Sequence, residues 1–510
     1  MKAIFLPSKN LLNTHKTYSC GTRLVTLSLL SLLAGCQNTP TLSESDAEEK
    51  INASFTIAPE WQSGITDTGK DNTDTSIETN NNSGWLLTLN DDRLEQFVQT
   101  ALNNNPDLRA SAANLQASIQ NARVTGANLL PQLDLDFNRS RTQTENTDDT
   151  STTPIYTTAY TRSLNVSWEI DIWGKLNASK KAAVLDAETE RANYAAAKLA
   201  LVANVARAWF NLNALKLRLE TAELRLDSQQ NTLSVIEDNY KSGLDSALEV
   251  YLNRTDLAIQ ESAIIDLQDS LAQATRAFKQ LLGEYPSSNI DFESKLPLLD
   301  ANIPAGLPSD LLKRRPDVLA SLRQWQASEL NTKAASKARL PSFSLTASYG
   351  GSSEELRFLD QRQLLWNLVN NLSLPIFQGG RLDAQAKQAK FLQDASFENY
   401  VSVLLNSFTE VENSLNTEQA LQKSFNATKD AAFYSESGYQ LALDQYQSGL
   451  INYTTLLESQ RRWFDAQSNL IDLKNDLLQN RIALYLALGG DFASQQSSTT
   501  NVNVNKSTKR

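Results

Sequence analysis

The chain has 510 residues, a formal charge of −11, 41% hydrophobic and 21% charged residues, and only 18 Gly, 13 Pro, two Cys, one His and one Met. At roughly 150 residues per domain the length allows three or four domains, yet Gly and Pro fall well under their usual shares of about 7% and 5%, which points to long uninterrupted elements. The one His is His15 and the one Met is Met1, both in an N-terminal leader, so a Ser-His-Asp triad, a His-ligated zinc or haem and a His general base are excluded from the working protein.

Within residues 1–35, which hold no acid, Lys2, Lys9, Lys16 and Arg23 precede an apolar stretch at 24–33. A basic start, an apolar core of about ten residues and small residues beyond it read as a secretory signal peptide, too short to span a bilayer as a helix. Leu33-Ala34-Gly35-Cys36 resembles the bacterial lipobox, which implies cleavage before Cys36 and a covalent N-acyl diglyceride on it, with no other cofactor and no metal. The alternative is an ordinary signal peptide in which Cys36 is coincidental. Gln37 after the Cys points to the outer membrane rather than the inner one. Cys20 falls in the discarded part, so no disulfide or CxxC site remains. Cleavage leaves 43 Lys+Arg against 58 Asp+Glu, about −15, which opposes nucleic-acid binding. No stretch after Cys36 approaches 18 uninterrupted apolar residues, so any bilayer crossing must use strands.

After a polar lipid-anchored segment at 36–87 the chain is one unit written twice, at 88–283 and 307–490, joined by a bridge at 284–306 and followed by a low-complexity tail at 491–510 that reads as disordered. Asn105-Pro106-Asp107 returns as Arg315-Pro316-Asp317 and Leu130-Pro131 as Leu340-Pro341, offset by 210. Gly174-Lys175-Leu176 returns as Gly380-Arg381-Leu382, Tyr240-Lys241-Ser242-Gly243-Leu244 as Tyr446-Gln447-Ser448-Gly449-Leu450, and Leu282-Gly283 as Leu488-Gly489, offset by 206. The offset changes between 144–155 and 350–361, polar stretches read as loops of unequal length.

Each unit opens on a helix. Period-two alternation then predicts strands at about 132–142 and 160–172 in the first unit, and at about 342–350 and 364–377 in the second. Gly174, Gly379 and Gly380 mark the corners where strand gives way to helix. The 68 residues between Gly174 and Gly243 contain no Gly or Pro, and Leu201, Val205, Ala208, Leu212, Leu215, Leu219, Ala222 and Leu226 form a heptad seam; Phe397, Val401, Leu404, Phe408, Val411 and Leu415 repeat it. A helix of that length reaches roughly 100 Å. Beyond Gly243 and Gly449, 39 residues free of Gly and Pro return as a second helix.

Strands of about ten residues suit a tilted transmembrane β-strand, but a membrane sheet must close and the smallest barrels have eight strands, so four from one chain require further copies. The alternative is a small soluble sheet capping a coiled coil. Asp134, Asp136, Glu169 and Asp171 lie on polar strand faces, where they either line a wet lumen or form a metal site or acid pair. Trp168, Tyr160 and Tyr349 either belong to an aromatic girdle or fill a sheet face.

The duplicated layout, the lipobox, Trp85 ahead of Asn104-Asn105-Pro106-Asp107-Leu108, Leu374-Pro375-Ile376-Phe377-Gln378-Gly379-Gly380-Arg381, Glu410-Val411-Glu412-Asn413, and Tyr446-Gln447-Ser448-Gly449-Leu450 running into Leu456-Leu457-Glu458-Ser459-Gln460-Arg461 together resemble the TolC-type outer-membrane efflux family, in its NodT-like, OprM-like lipoprotein branch. The resemblance implies an α+β membrane protein. Its homotrimer forms a twelve-stranded barrel, four strands per chain, continuous with a long periplasmic helical barrel and a mixed equatorial region. It also implies an exit duct for drugs or other small molecules, working with a periplasmic adaptor (membrane fusion) protein and an inner-membrane RND-type pump. The same resemblance places a periplasmic gate at Glu458 and Arg461, with Thr454 where relatives carry an apolar Leu. Adaptor-docking turns fall at Tyr240, Ser242, Gly243, Tyr446, Ser448 and Gly449. A duct for a type I protein secretion system, and a lipid-anchored coiled-coil scaffold without a pore, are the competing readings.

Overall fold

A computed structural model describes residues 84–490 apart from 90, 149–150, 244–245, 288, 291, 293, 300–313 and 359–364, together with 49–51, 54–55, 57–58 and 61–63. Cys36, the leader and the tail therefore lie outside the described residues.

A short 3-10 turn (Trp85–Leu89) leads into α1 (Asp92–Asn104), α2 (Pro106–Ala127), β1 (Gln132–Asp148), β2 (Ser151–Ile170), α3 (Lys175–Lys241) and α4 (Ala247–Leu281). The order then recurs as α5 (Pro316–Lys337), β3 (Ser342–Ser353), β4 (Leu365–Ser373), α6 (Arg381–Gln447) and α7 (Tyr453–Ala487). The duplication extends to element length: α2 and α5 have 22 residues each, α3 and α6 67, and α4 and α7 35.

Each unit is fastened at its own start. Asn105 caps α2 by accepting from the Leu108 amide (3.0 Å), and its side-chain amide donates to the Leu281 carbonyl at the end of α4 (3.0 Å). Arg315, in the same place before α5, donates to the Ala487 carbonyl at the end of α7 (3.0 Å). The Asn/Arg-Pro-Asp motif thus satisfies last-turn carbonyls that a helix cannot satisfy itself, and ties the first helix of each unit to its return helix.

The sheet is antiparallel in the order β1-β2-β3-β4, so among the described residues both outer strands have an unpaired edge. Its two faces differ sharply. One carries Leu133, Leu135 and Phe137 of β1, Leu164, Val166 and Trp168 of β2, Leu345 and Tyr349 of β3, and Trp366, Leu368 and Leu372 of β4, brought into cross-strand rows by the register. The other carries Asp134, Asp136, Ser163, Asn165, Ser167, Thr346, Asn367 and Asn371. Strand pairing runs on through Asp148 and Ser151, so the stretch read as a loop at 144–155 is instead the outer part of a long hairpin of 17 and 20 residues. Residues 144–155 show no period-two alternation in sequence, so the strand pattern is not legible there. β3 likewise extends past 350, to Ser353, and β4 ends at Ser373, short of 377.

The helices pack side by side. The first half of α3 buries Ala178, Ala182, Ala183 and Ala187, small residues that allow close neighbours, and Glu188 pairs with Arg323 of α5 at 3.3 Å. Its second half runs beside α4 and α7, with Arg254 to Glu237 at 2.7 Å and Arg218 to Asp472 at 3.5 Å. Midway, the seam residues Leu201, Val205 and Leu212 are buried, but so are Val202, Ala203, Ala206, Trp209 and Phe210. At this level α3 is covered nearly all round, by α1, the end of α4, Phe292 of the bridge and α7. Trp209 packs against Phe97, Phe278 and Phe292 with centroids 4.9–5.8 Å apart, and its indole N–H donates to Asp91 at 2.6 Å. A second cluster gathers Ile51, Val318, Leu322, Trp325, Tyr400 and Leu404 between α5 and α6. No helix among the described residues is long and apolar enough to cross a membrane.

Candidate functional site

Two regions gather the residues singled out above: the corners beneath the sheet and the far end of the helices. At the corners Gly174 (φ 75°), Gly379 (φ 57°) and Gly380 (φ 80°) take left-handed conformations, so the connections of four residues from β2 and seven from β4 turn sharply just before α3 and α6 begin. Neither Gly174 nor Gly380 can cap its helix with a side chain. For α3 the task falls to Asp171, whose carboxylate accepts from the Leu176 and Asn177 amides (3.1 and 2.7 Å). Glu169 pairs with Lys175 at 2.6 Å, and Asp136 accepts from Asn165 at 2.6 Å. Asp171 is therefore engaged as a cap, Glu169 in an ion pair and Asp136 in a cross-strand bond. Among the described residues no group of three His, Cys, Asp or Glu could hold a metal ion.

At the far end the two hairpin turns share one geometry. Gly243 (φ 74°) and Gly449 (φ 72°) are left-handed, and their amides donate back to the carbonyls of Tyr240 (3.0 Å) and Tyr446 (2.9 Å). Ser242 and Ser448 donate their amides to the Asp238 and Asp444 carbonyls, each at 3.1 Å. The return helices start on good caps, Ser246 with Glu249 in a reciprocal pair and Asn452 on the Thr455 amide (3.0 Å). The tyrosines diverge: Tyr240 is half exposed, whereas Tyr446 is buried with Tyr439, Tyr453, Leu456 and Ile236.

The seam between the α3–α4 and α6–α7 hairpins is polar as well as apolar. The Tyr453 hydroxyl accepts from Asn253 (2.8 Å) and burial pushes its pKa up to about 12. Ser228 bonds the Tyr439 hydroxyl (3.0 Å) and accepts from Gln460 (2.9 Å). Arg225 lies over Phe464 and 3.6 Å from Asp465. Burial, and Arg461 nearby, work to lower the Arg225 pKa, while Asp465 opposes them. Sequence patterns missed this seam, since its Ser, Gln and Asn residues are individually unremarkable on a helix.

Thr454, Glu458 and Arg461 all lie exposed on α7, one face of which carries 454, 458 and 461 by the i, i+4, i+7 rule. Glu458 bonds Arg462 (3.0 Å), four residues on, rather than Arg461. Both partners are more than half exposed, so this contact alone contributes only a few tenths of a kcal/mol.

The sequence profile of the outer membrane efflux proteins matches this chain at 97–284 and 307–490. The cation efflux system protein CusC of Escherichia coli strain CFT073 is 31% identical over 423 residues, 81% of this chain and 89% of its own. The probable efflux pump outer membrane protein TtgC of Pseudomonas putida strain KT2440 is 30% identical over 488 residues, 92% of this chain and 97% of its own. Among solved structures, that of CusC superposes with a TM-score of 0.74 at 29% identity, covering 80% of this chain and 95% of that one. The outer membrane protein VceC of Vibrio cholerae gives 0.73 at 25% identity, covering 80% and 98%.

Proposed function

Because the chain belongs to the outer membrane efflux protein family, we propose that three copies close its sheet into a twelve-stranded barrel and carry small organic molecules, rather than soft metal cations, out of the cell. The protein is the outer-membrane channel of a tripartite efflux pump, set in the outer membrane and extending into the periplasm. The observation that supports closure is the sheet itself: apolar on one face, polar on the other, with β1 and β4 unpaired at its edges. Such a sheet in hydrocarbon must find edge partners, and copies of the same chain supply them. The helical wall carries matching signs, since Leu248, Tyr251 and Ile259 of α4 and Phe433, Tyr434 and Leu441 of α6 stand exposed on the flanks of the wall. Cys36 bears the lipid that anchors the N-terminus.

The substrate class follows from donor chemistry. Soft cations are handled by thiolate, thioether and imidazole groups, and beyond Cys36 this chain contains no Cys, Met or His. CusC is named for cation efflux, a cargo for which this chain offers no such donor beyond Cys36. Thr454, Glu458 and Arg461 narrow the periplasmic end of the duct, and the turns at Tyr240 to Gly243 and Tyr446 to Gly449 seat a periplasmic adaptor beneath an inner-membrane pump. Expression with a matching adaptor and pump in an efflux-deficient host should raise tolerance to organic antibiotics and leave copper and silver tolerance unchanged; the reverse pattern would refute the substrate assignment. A monomeric mass in detergent with no channels in planar bilayers would refute the duct and favour a scaffold.

A further inference from the structure

The apolar face of the sheet ends abruptly. The helices leave the sheet at the start of β1 and the end of β2, so the β1–β2 hairpin points away from the periplasm, and the apolar rows give way toward it to Arg139 and Arg141 on β1 and Arg162 on β2. The register places all three on the face that carries Leu133 and Leu164, Arg139 directly opposite Tyr160 and Arg162 opposite Phe137. Arg139 lies over the Tyr160 ring at 5.6 Å and Arg141 over the Tyr156 ring at 4.9 Å. A guanidinium stacked on a ring is held flat, with its N–H edges directed outward for bidentate bonds. Among the described side chains of the four strands, the only acid on this face is Glu145, two rows beyond Arg141. Arginines facing lipid within hydrocarbon are strongly disfavoured, so the patch belongs at headgroup level, with tyrosines in the interfacial position such rings favour.

We propose that Arg139 and Arg141, oriented by Tyr160 and Tyr156, together with Arg162, bind the phosphate groups of the lipid A glycolipid in the outer leaflet. The assignment rests on the reading of the sheet as a membrane barrel. Two observations select this ligand: the patch is cationic where the leaflet is anionic, and it lies at the hairpin end, on the side opposite the periplasmic helices. Paired guanidinium and phosphate groups form short, charge-assisted bonds.

The test uses the purified full-length assembly in detergent, analysed by native mass spectrometry with bisphosphorylated lipid A, phosphatase-treated lipid A, phosphatidylglycerol, or inorganic phosphate as competitor. The wild type should retain bisphosphorylated lipid A at least tenfold better than its dephosphorylated form or phosphatidylglycerol. R139Q/R141Q should lose most of that preference and R139K/R141K should recover part of it. Equal retention of phosphatidylglycerol and lipid A, displacement by millimolar inorganic phosphate, or undiminished retention by R139Q/R141Q would each overturn the proposal. Should the glutamine variant fail to assemble, the wild-type preference for the phosphorylated form decides alone. Trimer mass and bilayer conductance of the same preparations report separately on the barrel. A conducting trimer indifferent to lipid A phosphate would overturn this inference and leave the duct intact.

Discussion

Single residues show where the two halves of the duplication have diverged. Glu418 and Arg481 meet at 2.6 Å with side chains 11% and 5% exposed, and Asn480 donates to the second carboxylate oxygen at 2.7 Å. At the matching positions, 206 residues earlier, the first unit has Leu212 and Thr275. Removing one partner strands a buried charge, so R481L should lower stability by about 3–5 kcal/mol, whereas the double change E418L/R481T, which copies the first unit, should recover much of the loss; thermal unfolding of the trimer measures both. Tyr453 gives a pH signature. Its folded pKa of about 12 exceeds the ordinary value of 10.0, so the buried neutral hydroxyl contributes stability that is complete below pH 10 and lost as pH rises through about 12. Tyrosinate absorbance should show this late titration, and Y453F should abolish it while leaving the Asn253 amide without its partner, at about 1–3 kcal/mol. For the proposed gate, E458Q combined with R461Q should raise conductance and weaken cation preference in planar bilayers. Unchanged currents would remove these residues from the constriction.

At the scale of elements, the glycines separate two kinds of turn. A Cβ at Gly243 would meet nothing within 4 Å, so G243A carries only the left-handed backbone strain of about 1–2 kcal/mol. A Cβ at Gly283 would sit 2.5 Å from the Asn104 carbonyl oxygen, so G283A must also push α1 away from α4 and should destabilise the trimer more; comparative melting of the two variants checks the order. The elements legible in the sequence were those whose physics is local. Gly174, Gly243, Gly380 and Gly449 bracket helices of equal length because left-handed turns demand glycine, and the alternation of Leu133, Leu135 and Phe137 with Asp134 and Asp136 reveals a sheet with one greasy face. What stayed hidden depends on distant partners. The outer hairpin lacks alternation, nothing in the local sequence marks Glu418 and Arg481 as a buried pair joining α6 to α7, and the different burial of Tyr240 and Tyr446 is set by neighbours rather than by their similar turns.

Across the whole molecule, the N-terminal segment is strapped to the second unit. The amides of Gln62 and Ser63 donate to the Glu412 carboxylate (2.8 and 2.9 Å), Gln419 donates to the Ser63 carbonyl (3.1 Å), and Trp61 and Phe55 pack edge-on against Phe408. Partial burial acts against ionisation of Glu412, but the hydrogen bonds from Ser63 and Gln62 prevail and hold its carboxyl below the usual glutamate range. The strap is therefore secure above the ordinary pKa of 4.5 and is released as pH falls through the lower folded value. E412A should expose the segment near Gln62 to proteases at neutral pH, with conductance unaffected.

The aromatic belt around Trp209 has one further consequence. It grips α3 near its midpoint, leaving the 32 residues after Trp209, as far as Lys241, as a rod without a Gly or Pro joint. That arm is about 48 Å long at 1.5 Å per residue. If the belt acts as a fulcrum, the helix is a lever: a tilt of about 5° at Trp209 sweeps the far turn through roughly 4 Å, enough to clear a side chain from an aperture without breaking a hydrogen bond within the rod.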